Sequence, residues 1–193
     1  MPFLSEKMKH PFKYRCYDAK TLLEGCNTLS MFMRRLEKQA HEDRGMGWTY
    51  EDYVGMGFEA FVEVLINLSP IDKRIGIVEY SPHDNDKHGQ DMGIDGYGLS
   101  AYDRKPHTIQ CKYRGNTQKS LTANEDHISN FVAKSLGYGP DIGMTIFTTG
   151  KDLMEKINQE MYNGRVRTLG YRELSKLVDE NRSFWDAFLK EMT

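Results

Sequence analysis

The sequence predicts an α/β protein: a central mixed β-sheet flanked by helices in a three-layer arrangement, with an extra helical segment at the N-terminus. Three observations carry that expectation. Short apolar runs, two of them with alternating patterns, are interspersed with longer runs whose apolar residues recur at helical spacing. The two alternating runs are joined by a polar turn, which makes a hairpin. The balance of 39% hydrophobic and 28% charged residues suits a globular chain with a sizeable core. At 193 residues the chain has the length of one ordinary domain with an appendage. It reads as an arm and helix over 1–48 and one domain over 49–193.

Residues 1–17 mix prolines, lysines and aromatics and read as an extended, basic arm. Over 18–42, Leu22, Leu23, Leu29, Phe32, Met33 and Leu36 form an apolar stripe near helical period, with Gly25 and Asn27 as the place where it breaks in two. Thr49 starts the next helix, with Asp52 at capping-box distance. Its buried stripe is Val54, Phe58, Phe61 and Leu65, and Asp52, Glu59 and Glu63 take a separate face. Residues 75–80 form a short strand. The loop after it carries Asp84, Asp86, His88 and Gly89 and imitates part of a calcium-binding loop. A strand and Pro82 precede it, however, and its twelfth place holds Asp95 instead of glutamate, which excludes that reading. His83 and His88 are candidate substrate contacts, and Asp91 is a candidate helper of the site. Six histidines scattered through the chain make no zinc signature.

The hairpin over 92–114 organises the chain. In its first run Asp95, Tyr97, Leu99 and Ala101 share one face. In its second, Thr108, Gln110, Lys112 and Arg114 do. Asp103, Arg104, Lys105 and Pro106 give the turn signal between them. A turn centred near Arg104 puts Asp95 opposite Lys112 or Arg114 and gathers Asp95, Gln110 and Lys112 on one face. After the hairpin, Thr122 and Glu125 make a capping box for a helix of about 15 residues, with Ile128, Phe131, Val132 and Leu136 inward and Gly137 and Gly139 closing it. A buried strand over 144–149, a helix over 151–162, a short strand over 166–169 and one or two helices over 171–192 complete the order, with Trp185 as a core anchor.

The chemistry of the hairpin face is that of phosphate-ester hydrolysis. A carboxylate (Asp95), an amide oxygen (Gln110) and the Cys111 backbone carbonyl are hard oxygen donors, which suit Mg²⁺. A bound divalent ion acidifies water and neutralises phosphate charge. A lysine ammonium (Lys112) beside it positions the water or stabilises the charge of the transition state.

Asp95 followed, after a hairpin turn, by Gln110-Cys111-Lys112 resembles the PD-(D/E)XK nuclease superfamily, and most of all its Mrr-like, restriction-endonuclease-like branch, where glutamine replaces the second acid. Gly55 to Val62 (GMGFEAFV) is similar to that branch's first helix, Gln90 to Asp95 (QDMGID) to its entry to the catalytic strand, Ile109 to Tyr113 (IQCKY) to its third core strand, and Thr145 to Thr149 to a later strand. The likeness covers roughly residues 49 to 180. It implies a restriction-endonuclease-like fold and a Mg²⁺-dependent DNA endonuclease, with Mn²⁺ as a substitute ion. It also implies that Glu59, rather than Glu63, completes or supports the metal shell. Glutamine at 110 removes one negative charge from the site and places more demand on Glu59. A similar domain precedes the motor of some viral helicases, so the resemblance admits a phage or viral source and a helicase or other motor partner.

The net charge of −2 does not mark a nucleic-acid binder. The pattern is more informative than the sum: Arg104, Lys105, Lys112, Arg114 and Lys119 are expected to cluster around the site and grip DNA phosphates. Three scattered cysteines, Cys16, Cys26 and Cys111, without a CxxC pair, read as free thiols in a reducing compartment, the cytoplasm or a host-cell interior. No apolar run reaches the length of a membrane span, and no apolar signal region opens the chain. Two readings stand beside the nuclease: a catalytically silent module of the same fold that binds nucleic acid or a partner, and a junction-resolving enzyme. The second requires a homodimer, for which the helix at 18–42 offers a surface.

Overall fold

The computed structural model describes residues 18–42, 49–68, 74–83, 93–123 and 127–193. The basic arm over 1–17, with Cys16, and Asp84, Asp86, His88, Asp91 and Glu125 lie outside the described residues. The chain forms two compact units, Met1–Asp72 with Glu173–Thr193, and Lys73–Arg172. The division falls within the stretch expected to be one domain, because the helix after Thr49 belongs with the helices on either side of the sheet unit in sequence.

The helical unit contains α1 (Ala19–Leu23), α2 (Leu29–Glu42), α3 (Tyr50–Asn67), most of α6 (Tyr171–Val178) and α7 (Arg182–Met192). The expected break between the first two helices is present, and Gly25 takes a left-handed φ of 66° there. The starts of α1, α2 and α3 have polar caps. Asp18 accepts from the Thr21 amide at 3.1 Å, the Thr28 hydroxyl from the Met31 amide at 3.1 Å, and the Thr49 hydroxyl from the Asp52 amide at 3.1 Å. Asp179 adds a cap from a distant part of the chain, accepting from the Leu29 amide at 2.8 Å.

An aromatic cluster holds this unit together. Phe61 of α3 lies 5.6 Å from Phe32 of α2 and 5.2 Å from Phe184, centroid to centroid, and Phe32 lies 5.5 Å from Phe188. Trp185 is buried and its indole N–H donates to the Val178 carbonyl at 2.8 Å, so it is the core anchor expected of it. Helices α2 and α3 approach closely at Gly57, where a Cβ would meet Leu36 Cδ1 at 2.6 Å. The Gln39 amide is buried but satisfied, donating to the Asp18 carbonyl and accepting from the Tyr53 hydroxyl.

The sheet unit contains β1 (Ile77–Pro82), β2 (Gly96–Ser100), β3 (Pro106–Lys112), α4 (Ile128–Leu136), β4 (Gly143–Thr148), α5 (Glu155–Tyr162) and β5 (Val166–Leu169). Its five strands follow the order β1-β2-β3-β4-β5. The pairs β1–β2 and β2–β3 are antiparallel, and β3–β4 and β4–β5 are parallel, so the sheet is mixed as predicted. A bulge between Val78 and Ser81 irregularly shifts β1 against β2, and Glu79 takes φ 58° there. Ile128, Phe131 and Val132 of α4, Tyr162 of α5, and Met144, Ile146 and Val166 of the parallel strands form a common core. Among the described residues no helix is long and apolar enough to cross a membrane.

Two boundaries differ from the sequence reading. The helix expected from Thr122 begins at Ile128, because His127 before it takes a left-handed φ of 53°. The helix expected from Lys151 begins at Glu155, because Lys151 bridges to Ser120 in extended form.

Two outcomes test these accounts. Replacing Phe61 by alanine removes the centre of the aromatic cluster, and denaturant titration is expected to show a loss of about 3–5 kcal/mol. His107 of β3 is half-buried, and burial holds its imidazole below the ordinary value of 6.5, with the Arg167 guanidinium adding to the effect. The unfolded chain therefore binds this proton more readily than the folded one. The stabilisation from neutral His107 is complete above pH 6.5 and falls away as pH drops below it. His107→Phe, followed by chemical denaturation from pH 7.5 to 5, should flatten the stability slope; an unchanged slope would exclude His107 as its source.

Candidate active site

The site is built on β3, the middle strand of the sheet. Its register against β2 pairs Gly96 with Ile109 and Tyr97 with Thr108. That register ends at Gly96: Asp95 lies just before β2, and its amide bonds to the carbonyl of Ile109, the residue already paired with Gly96. The turn therefore centres between Tyr102 and Asp103, not near Arg104, and Asp95 does not face Lys112 or Arg114. The reason lies in the turn: the Ser100 hydroxyl accepts from the Tyr102 amide at 3.2 Å and the Asp103 amide at 3.3 Å, and Arg104 takes a left-handed φ of 61°. Gln110 and Lys112, two residues apart on β3, share a face of the sheet, and the Asp95 carboxylate reaches the strand between them, at the Cys111 amide.

Asp95 is anchored on every side. Its amide donates to the Ile109 carbonyl at 2.9 Å, and its own carbonyl accepts from the His83 amide at 2.9 Å and the Tyr80 hydroxyl at 3.2 Å. One carboxylate oxygen, Oδ2, accepts from the Cys111 amide at 2.5 Å. A residue in a strand sends its N–H and C=O to the same lateral edge. The Cys111 carbonyl therefore leaves β3 on the Asp95 side. The other edge is committed to β4, where the Lys112 carbonyl accepts from the Thr148 hydroxyl at 2.8 Å.

Gln110 is fully buried, and among the described residues neither its Oε1 nor its Nε2 has a hydrogen-bond partner. The amide lies beneath the start of α4. A Cβ on Gly93 would be 3.5 Å from Gln110 Nε2 and 3.5 Å from the Phe131 backbone nitrogen. Lys112 is half-buried, and among the described residues its ammonium forms no ion pair. A buried amide without partners and a half-buried cation without a counter-charge are both unfavourable in isolation. Side by side on one face, they fit a ligand with oxygen-binding and anionic parts. The donor set, one carboxylate, one idle amide oxygen and a carbonyl on the same edge, is made of hard oxygens and fits Mg²⁺. Among the described residues no three His, Cys, Asp or Glu side chains cluster as a metal site.

The remaining expected residues divide by place. Arg114 and Lys119 lie at the same end of β3 as Lys112: a Cβ on Gly150 would meet the Lys119 carbonyl oxygen at 2.7 Å and Arg114 Cγ at 3.2 Å. Arg104 and Lys105 lie at the turn, seven or more residues before Lys112, or roughly 20 Å along the strand. They do not cluster with it. Arg104 pairs with Glu79 at 2.6 Å and Lys105 with Asp103 at 3.4 Å, in ordinary exposed ion pairs. Glu59 is half-buried on α3 of the helical unit.

Two features were not singled out from the residues. Lys151, read only as the start of a helix, is exposed, and its amide donates to the Lys119 carbonyl at 3.0 Å, which adds a cation to the Lys112 end. Tyr97 and Tyr138 are hydrogen-bonded through their hydroxyls at 2.7 Å across 41 positions of sequence, a pairing that no spacing announces.

No protein-family model matches the chain, and neither does any curated protein. Among solved structures, the MspJI restriction endonuclease in complex with a 27-mer oligonucleotide is similar at 13% identity and a TM-score of 0.43, over 93% of this chain and 39% of that one. The DNA modification-dependent restriction endonuclease AspBHI is similar at 12% identity and a TM-score of 0.43, over 100% of this chain and 44% of that one. The chain thus spans about two fifths of the length of either protein. Likeness at this level says nothing of chemistry, which rests on the side chains described above.

The idle amide can be tested without any activity. In EDTA, Gln110→Leu keeps the volume and removes two orphaned polar atoms, so the variant should be more stable than wild type by about 1–3 kcal/mol. Destabilisation in the same titration would mean that the amide already has partners.

Proposed function

We propose that this chain is a Mg²⁺-dependent nuclease that hydrolyses DNA phosphodiester bonds, cutting as an endonuclease. The observation that carries the reading is the face of β3 with the buried amide of Gln110 and the ammonium of Lys112, neither of them paired among the described residues, and the Asp95 carboxylate fixed at the Cys111 amide between them. Mn²⁺ would substitute for Mg²⁺ in the same oxygen set.

In this reading Asp95, Gln110 Oε1 and the Cys111 carbonyl hold the ion. When bound, the ion acidifies a water and offsets phosphate charge. The Cys111 amide holds the Asp95 carboxylate on the strand edge, so the acid is positioned before any ligand arrives. Lys112 donates to the attacking water or to a phosphate oxygen as charge builds there, an interaction stronger in the transition state than in the ground state. Arg114 and Lys119, at the same end of the strand, contact the flanking phosphates. Glu59 is the residue proposed to complete the acid shell.

One observation favours a second reading, a silent binding module of the same fold: among the described residues no three His, Cys, Asp or Glu side chains gather as a metal site. Cleavage of linear, circular and branched DNA with Mg²⁺, Mn²⁺ or EDTA separates the two. The wild type should cut only with a divalent ion. Asp95→Ala and Lys112→Ala should each lower the rate by about 100-fold or more without loss of fold. A folded Lys112→Ala that cuts at the wild-type rate would remove its assigned role, and a wild type that binds DNA but never cuts would establish the binding module.

A further inference from the structure

Next to this face is a cluster of polar aromatic side chains. Tyr97 of β2 pairs with Thr108 and so shares the face of Gln110 and Lys112, two residues along the chain from Asp95. Its hydroxyl is 3.0 Å from His83 Nδ1 and 2.7 Å from the Tyr138 hydroxyl. The rings meet edge to face, Tyr97 with His83 at 5.3 Å and Tyr97 with Tyr138 at 5.6 Å between centroids. The His83 amide in turn donates to the Asp95 carbonyl, so the cluster and the acid share a backbone bond. Tyr97 packs partly against the core beneath α4. Tyr138 follows α4 and is 60% exposed.

An exposed tyrosine by itself is ordinary surface. This one is different because its hydroxyl is tied down while its ring is left open to solvent. A side chain that normally moves freely is thereby held with an aromatic face available, beside a face that fits a phosphate ester. Burial, together with the neighbouring Tyr138 hydroxyl, pushes the Tyr97 phenol up, so it stays protonated and the hydroxyl pairing persists at ordinary pH.

We propose that Tyr138, braced by Tyr97 and His83, is a stacking subsite for one unpaired nucleobase of the substrate strand, next to the phosphate held at Asp95 and Lys112. The proposal rests on the nuclease reading and adds to it a preference for DNA with a base out of its stack: a bulge, a frayed end or a branch. Stacking on an aromatic ring tolerates any base, because every base has a π-face, so the preference is for structure and not for sequence. The base must already be unpaired or be unstacked at a cost, which a mismatch or bulge lowers.

The test is fluorescence anisotropy in EDTA with a labelled duplex carrying a one-nucleotide bulge, beside the same duplex with an abasic residue in the bulge. Wild type should bind the base-bearing bulge roughly tenfold more tightly. Tyr138→Ala should bind both duplexes equally, and Tyr138→Phe, which keeps the ring, should retain most of the preference. Because Tyr138 is exposed, neither substitution threatens the fold. Equal binding of both duplexes by wild type, or an undiminished preference in Tyr138→Ala, overturns the subsite. If the same wild type still cuts DNA with Mg²⁺, the nuclease reading survives that loss. A wild type that neither binds nor cuts DNA removes both.

Discussion

The site depends on the double register of β3. This strand is antiparallel to β2 on one edge and parallel to β4 on the other, so it cannot slide without breaking two ladders. A slip by one residue would turn Gln110 and Lys112 to the opposite face. The Asp95 carboxylate reinforces the register, because its bond to the Cys111 amide is satisfied in only one alignment. The Thr148 and Thr149 hydroxyls do the same on the other edge, accepting from or donating to the backbone at Lys112 and Arg114. The acid is thus carried on a rigid strand and held by a backbone donor, which suits a group that has to keep its place.

Buried polar side chains in the molecule divide into those that are bonded and those, Gln110 and the Thr145 hydroxyl among them, that find no partner among the described residues. Gln39 has both ends of its amide bonded, and Thr108 donates to the Ser135 hydroxyl at 2.7 Å. Gln110 is as deeply buried as Thr108 and has no such partner. A buried amide left idle costs about 1–3 kcal/mol, a sizeable part of the stability of a domain this size. Filling the position with leucine would cost little in volume.

The distribution of charge makes the same distinction. Arg104 and Lys105 at the turn are compensated by Glu79 and Asp103, and exposed pairs of this kind contribute about 0–1 kcal/mol each. Lys112 at the other end is half-buried and, among the described residues, without an acidic partner. With Arg114, Lys119 and Lys151 at that end, positive charge gathers where the parallel strands finish, although the chain as a whole carries a net charge of −2. A near-neutral protein can present a local anion-binding surface when its acids are spent elsewhere.

The sequence alone was enough to read the alternation of residues along both hairpin strands, because a period of two is a property of extended backbone and needs no partner. It therefore sorted Gln110 and Lys112 onto one face. The mixed sheet, the strand over 166–169 and the cap at Thr49 were legible for the same reason, each being set by local pattern. What local pattern does not contain is the choice among alignments of equal parity. That choice fell to the Ser100 hydroxyl and to Arg104 at the turn, which set Gly96 opposite Ile109 and left the turn cations far from Lys112. Nor does it contain contacts across long loops. The pairing of Tyr97 with Tyr138, the lack of a partner for the Gln110 amide among the described residues and the grouping of α3 with α2 and α7 arise only when separate elements pack, since each depends on which surfaces meet and which polar atoms find no partner.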